Sequence, residues 1–439
     1  MSRFFGKEQL NRRNFLTTGS LALAALACDF PQPGGGHRFL RKKSAKLVLR
    51  SSWQMVNIGD IGHTAGVMAI IQNYLPQVQV TLWASSDYSP EVAAMEKARF
   101  PGLQVVQGYI DSQGRPTNDA LGTALDECDF ILHGSGPSVV AKRDIKAASE
   151  RTGKPFGFYG ITYRDGDEET RKLLSKASFV FFRDSVSLAR AKADGITAPT
   201  MEFAPDGAFA FDIYNDDKAA AFLKANSLEK GKFVCVIPRY RVTPYWSIHK
   251  RAMKPGKETD DWNKSQKLVE HDHKPILQTV LQILEKTEMK VLVCPEDMSQ
   301  MELGKKMIYD KIPEKFRNRV VWRKDFWLPD EAVSIYMQSA GLFGLEMHSP
   351  IMCIGNGVPA IVCRFEEQTS KGYMWKDIGL GDWLFDFDNE SDIEKVAPTV
   401  LNMITDQAAS HARVDAAQKI IMRRQYETME TLKAELGLW

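Results

Sequence analysis

Short runs of consecutive apolar, β-branched and aromatic residues alternate with stretches of helical periodicity from about residue 45 onward. "KLVLRSSW" (46–53), "VQVTLWA" (78–84), "LQVVQGY" (103–109), "DFILHGSG" (129–136), "PFGFYGIT" (155–162) and "FVFFRD" (179–184) read as strands. Segments such as "HTAGVMAIIQNYL" and "SVSLARAKAD" between them read as helices. Strands that are apolar throughout, without in–out alternation, are buried on both faces, and strands alternating with helices form parallel sheets. The pattern therefore predicts an α/β chain with a doubly wound Rossmann-like domain over residues 37–213.

The alternation restarts around 212–231 and continues through "KFVCVIPRY" (232–240), "KVLVCPED" (290–297), "VVWRKDFW" (320–327), "GLFGLEMH" (341–348) and "PAIVCRFE" (359–366). It predicts a second such domain over 214–405, facing the first. The polar, Trp- and Tyr-rich stretch 241–263 is expected to be a long loop beside the site. The periodic segment within 406–439 is expected to be a helix packing back across the junction.

Composition narrows the class. A chain of 439 residues with 44% hydrophobic and 26% charged side chains is globular and long enough for two domains. With 57 Lys and Arg against 55 Asp and Glu it lacks the positive excess that phosphate-backbone binding needs, so nucleic acid is not an expected partner. Residues 1–36 differ: Arg12 and Arg13 precede an uncharged apolar stretch, Leu16 to Ala27, and "CDFPQPGGG" ends it. That stretch is well short of the ~20 residues a spanning helix requires, so the segment reads as an export signal and linker. "NRRNFLTTG" resembles a twin-arginine signal, with Asn11 where Ser or Thr is usual. It implies the twin-arginine translocase as a partner, a periplasmic or cell-envelope location, and membrane contact only through this segment. "ALA" at 25–27 suits signal peptidase, Cys28 is an alternative lipidation site, and an uncleaved signal is a third possibility. The other cysteines, 128, 235, 294, 353 and 363, show neither CxxC nor metal-ligand spacing and read as reduced core residues.

In open parallel sheets ligands bind beyond the carboxyl ends of the strands, so the candidate chemistry lies just after each strand. "WQMVNIGDIGHTAG" offers Asn57, Gly59 and Asp60 at a helix start placed near Gly62, with His63 as an ordinary first-turn residue. "HGSGPS" puts Gly134, Ser135 and Gly136 in a small-residue loop expected to expose backbone N–H groups. "FFRDSVS" places Arg183 at a strand end as a fork for a carboxylate or phosphate, and Asp184 as a helix cap that pairs with it. Asp206 in "FAPDGAFAF" is either a turn residue or a ligand contact, and Arg239 ends the first strand of the second half. His348, at the end of "GLFGLEMH", is a candidate for proton transfer. His271 and His273 lack further ligands, so no metal is expected.

The ordered set "NIGD", "GSG", "FRDSVS", "PDGAF", Arg239, "EMHSPIMCIGNGVPAIVC" and "SKGYMWKDIGL", from Asn57 to Leu380, resembles the polysaccharide pyruvyl transferase family. The resemblance implies a GT-B-like pair of Rossmann-like domains. It also implies transfer of a pyruvyl group from phosphoenolpyruvate, a co-substrate and not a bound cofactor, to hydroxyls of a cell-surface saccharide acceptor as a ketal. Arg183, Arg239 and Lys371 then match the donor's anionic groups, His348 the acid, and Asp60 or Asp206 the base. Glu346 departs from the family pattern, which has arginine there. An exported relative using a different donor and a non-catalytic glycan-binding protein are the alternatives.

Overall fold

The computed structural model describes residues 42–438; the expected signal segment, with Arg12, Arg13 and Cys28, lies outside them. Seven strands, β1 (Ala45–Arg50), β2 (Val78–Ala84), β3 (Gln104–Gln107), β4 (Phe130–His133), β5 (Phe156–Ile161), β6 (Phe179–Phe182) and β7 (Thr200–Phe203), form a first sheet in the order β3-β2-β1-β4-β5-β6-β7. Six more, β8 (Phe233–Ile237), β9 (Lys290–Val293), β10 (Val320–Trp322), β11 (Leu342–Gly344), β12 (Ala360–Arg364) and β13 (Leu384–Asp386), form a second in the order β10-β9-β8-β11-β12-β13. Every pairing is parallel.

The central strands are buried along their whole length because helices cover both faces: β4, β5, β6 and β8 have no exposed residue. In each sheet the strand order reverses once, between β1 and β4 and between β8 and β11. At such a switch point the loops leave in opposite directions and open a crevice.

Two expectations change. The stretch 241–263 is not all loop: it contains a short helix, Tyr245–Ile248, and the start of the helix Lys257–Lys286. That longer helix also carries His271 and His273. The helix near Gly62 starts earlier, at Ile58, because the Asn57 side chain accepts from Gly59 N at 2.7 Å and caps it.

The last helix, Gln407–Glu435, touches both halves. Arg424 donates through Nη2 to Glu202 Oε2 at 2.6 Å and through Nε to the Phe203 carbonyl at 3.0 Å. Gln418 Nε2 donates to the Ile354 carbonyl at 2.9 Å. Among the described residues no helix is long and apolar enough to cross a membrane.

Candidate active site

The first half contributes two elements. Phe182 is in register with Ile161 on one side and Phe203 on the other. Arg183, one residue on, donates through Nε to Thr162 Oγ1 at 2.6 Å and through Nη1 to Asp206 Oδ2 at 2.8 Å. The other oxygen of Asp206 meets His63 Nδ1 at 2.9 Å. Burial pushes the Asp206 carboxyl up, but His63 and Arg183 hold it well below the usual carboxylate range. An ionised carboxylate accepts, so Nδ1 of His63 carries the proton. Asp184 instead caps the helix Ser185–Ala193 by accepting from Ser187 N at 2.7 Å.

The second half supplies the facing wall. His348 begins the helix His348–Gly355, and its Nδ1 lies 3.0 Å from Glu296 Oε1. The other oxygen of Glu296 accepts from Ser349 N at 2.6 Å. Burial, together with the charge of Lys371, pushes the His348 pKa well below its ordinary value. The ring is therefore neutral, with its proton on Nδ1 facing Glu296 and a lone pair on Nε2. This is an acceptor, where the sequence suggested a proton donor.

The halves meet at this point. Ile58 N donates to the Glu296 carbonyl at 3.0 Å and Met298 N to the Val56 carbonyl at 3.2 Å. A Cβ on Gly59 would lie 2.2 Å from His348 Cγ, so only glycine lets the helix start approach that ring. The rings of His63 and His348 meet edge to face with centroids 4.7 Å apart. Nε2 of both rings and Nη2 of Arg183 are buried without a hydrogen-bond partner among the described residues.

Asp60 and Lys371 complete the group. Both are buried, and neither side chain has a hydrogen bond or ion pair among the described residues. Burial raises the Asp60 pKa to about 6, with His63 and Lys371 opposing. Burial and the charge of Arg239 lower that of Lys371 to about 8.

Arg239 with Glu346, the loop 134–136 and Asp206 take other roles. Ile237 is in register with Gly344, so Arg239 and Glu346, each two residues on, are neighbours, and Arg239 Nη1 is ion-paired with Glu346 Oε1. Gln300 Nε2 also donates to Glu346 Oε1, at 2.7 Å. Arg239 is thus not a free cation for a donor. The loop at Gly134, Ser135 and Gly136 does not present its glycine N–H groups to a ligand. Gly134 N donates to the Arg50 carbonyl and Gly136 N to the Gly160 carbonyl, while Ser135 Oγ donates to that same carbonyl at 3.0 Å. Asp206, with both oxygens engaged, positions His63 and Arg183.

Sequence reasoning took His63 for an ordinary first-turn residue and passed over Glu296. Glu296 follows the β9 apolar run, the same strand-end position that flagged the others. His63 lies within a helix whose residues are all buried from Ile58 to Ile71, where a titratable side chain needs a partner.

The family model "Polysaccharide pyruvyl transferase" matches residues 36–366. By shape the chain is similar to HepE from Anabaena in complex with UDP-glucose (TM-score 0.54, 11% identity, covering 89% of this chain and 100% of that one). It is similar to MnaA of S. aureus with UDP (TM-score 0.54, 11% identity, 90% and 98%). A third likeness is UDP-GlcNAc 2-epimerase from Neisseria meningitidis bound to UDP-GlcNAc (TM-score 0.50, 11% identity, 89% and 100%). Among curated proteins none matches by sequence. These neighbours show a GT-B-like fold of two parallel-sheet α/β domains.

Proposed function

The chain belongs to the polysaccharide pyruvyl transferase family, and we propose that it moves a pyruvyl group from phosphoenolpyruvate to two hydroxyls of a saccharide in the cell envelope. The observation that supports this reading best is the pair Asp60 and Lys371. They come from opposite halves, are buried without partners, and have pKa values near 6 and 8. A base and an acid tuned toward neutral pH are what ketal formation requires.

In this reading the Lys371 ammonium gives a proton to the donor's methylene carbon, converting the C=C bond to a methyl group and leaving cationic character on the adjacent carbon. A sugar hydroxyl oxygen bonds to that carbon while its proton passes to Asp60. The C–O bond to phosphate then breaks, phosphate leaves with the electron pair, and a second hydroxyl oxygen bonds to the same carbon and closes the ketal, its proton passing to the Lys371 amine left neutral by the first step. The unpartnered Nη2 of Arg183 suits an acidic oxygen of the donor. Export through the twin-arginine translocase, with residues 1–36 as its signal, would bring the chain to an acceptor on the cell surface.

The test is phosphate release from phosphoenolpyruvate by the purified chain with a glycan acceptor. Turnover is expected to be lost in Asp60→Asn and Lys371→Met. Saccharide binding without phosphate release by the unsubstituted chain would instead favour a glycan-binding protein. The Arg239–Glu346 pair specifically favours a second reading, a donor less anionic than phosphoenolpyruvate, because it removes one cation from the donor side.

A further inference from the structure

Proton transfer leaves two buried groups unused, Nε2 of His63 and Nε2 of His348. Each ring is fixed at its other nitrogen by a buried carboxylate, His63 by Asp206 at 2.9 Å and His348 by Glu296 at 3.0 Å. Carboxylate–imidazole pairs of this kind orient metal-binding histidines, since the carboxylate fixes the tautomer and makes Nε2 a better donor of its lone pair. One ligand-type atom from each of His63, Asp206 and His348 lies within 4.8 Å of the others.

We propose that His63 and His348 bind one divalent transition ion of the zinc class through their Nε2 atoms, Asp206 and Glu296 serving as the carboxylates behind them. Imidazole nitrogens select zinc, cobalt or nickel over magnesium or calcium, which prefer oxygen. Two protein nitrogens leave the remaining coordination positions for water or a substrate oxygen, one more than the single open position of a three-ligand catalytic zinc site.

The surrounding charge supports a cation. Arg183 and Lys371 oppose it, and Arg239 is the third fixed cation in the group. Against them stand five buried carboxylates: Asp60, Asp206, Glu296, Asp297 and Glu346. A bound dication offsets this excess and would give an anionic substrate an electrostatic partner that Arg239 cannot. The site stands apart from the transferase reading, because binding is measured without turnover.

The experiment is titration of the chelator-stripped full chain with Co²⁺ and Zn²⁺, following the visible ligand-field absorption of Co²⁺ and its displacement by Zn²⁺. One equivalent is expected. Glu296→Gln should weaken binding by about 10-fold, within the 10–100-fold cost of altering an outer partner, and His63→Gln and His348→Gln, which keep side-chain volume but remove a ligand, should each weaken it by about 100-fold or more. Circular dichroism and apo melting temperatures of the variants establish that they are folded. His271→Ala removes the surface imidazole beside Asp272 and Glu390 and should change nothing. The proposal is overturned if the folded double variant His63→Gln/His348→Gln binds Co²⁺ as tightly as the unsubstituted chain, or if His271→Ala is what abolishes binding.

Discussion

His63 and His348 come from opposite halves of the chain, yet their rings meet edge to face with planes at 81°. The contact depends on Gly59, whose missing side chain leaves room for the His348 ring. In Gly59→Ala the new Cβ would stand 2.2 Å from Cγ and Nδ1 of that ring. Overpacking of this kind costs about 1–3 kcal/mol, so a lowered melting temperature is expected together with a displaced imidazole and weaker metal binding. Gly62→Ala is the control. Its Cβ would lie 3.2 Å from the flexible Met352 Sδ, and a loss as large as that of Gly59→Ala would show that generic helix crowding, not the His348 contact, is responsible.

Glu346 stands where the family has arginine, and the structure shows its effect. It is ion-paired with Arg239 and also accepts from Gln300 and from Met347 N. Glu346→Gln keeps the shape and removes the charge, freeing Arg239 for a ligand. Phosphoenolpyruvate should bind about tenfold more tightly, a change of about 1.4 kcal/mol and modest for one unit charge near a ligand at partly buried dielectric. The cost falls on the apo protein, which keeps a partly buried guanidinium without its counter-ion and should melt earlier. Calorimetric titration of both forms decides: unchanged or weaker affinity would mean that Arg239 does not face the donor.

The paired titrations of Asp60 and Lys371 predict a bell-shaped profile of kcat/KM against pH. Activity should rise as Asp60 loses its proton near pH 6 and fall as Lys371 loses its own near pH 8. The donor's phosphate also titrates near ~6, so the upper limb is the diagnostic one. In Lys371→Arg, whose guanidinium does not deprotonate in this range, any residual activity should lose its decline above pH 8. Persistence of that decline would assign the limb to another group.

Much of the architecture was legible because both-face burial leaves unbroken apolar runs. The run 78–84 coincides with β2, and other predicted runs include the observed strands with extra residues at their ends. β7 and β13 escaped notice as edge strands of four and three residues with mixed burial. The strand-end rule located Asp60, Arg183, Asp206 and His348, the family resemblance added Lys371, and the fold brings the five together. It could not reveal that Arg239 is neutralised, since that follows from β8 lying beside β11 with Ile237 opposite Gly344, a register no single stretch encodes. His63 was missed because the expected helix start at Gly62 made it a first-turn residue; with the start at Ile58 it turns inward toward Asp206.

Away from the site, Glu96 provides a test of the fold itself. It lies in the helix Pro90–Arg99, is 1% exposed, and accepts from the Tyr88 hydroxyl at 2.6 Å, while its other oxygen has no partner among the described residues. Burial raises its pKa to about 8, only partly offset by Tyr88. Between the ordinary glutamate value and 8 the folded chain holds a proton that the unfolded chain has lost. Stability from this group is therefore fully present below about pH 4.3, the ordinary glutamate value, and declines as pH rises toward 8. Glu96→Gln, neutral at every pH, should flatten the decline, so that variant and unsubstituted chain diverge in melting temperature from pH 5 to 8 in favour of the variant. Parallel melting curves across that range would show that Glu96 is ionised in the folded chain and that its burial is relieved by water.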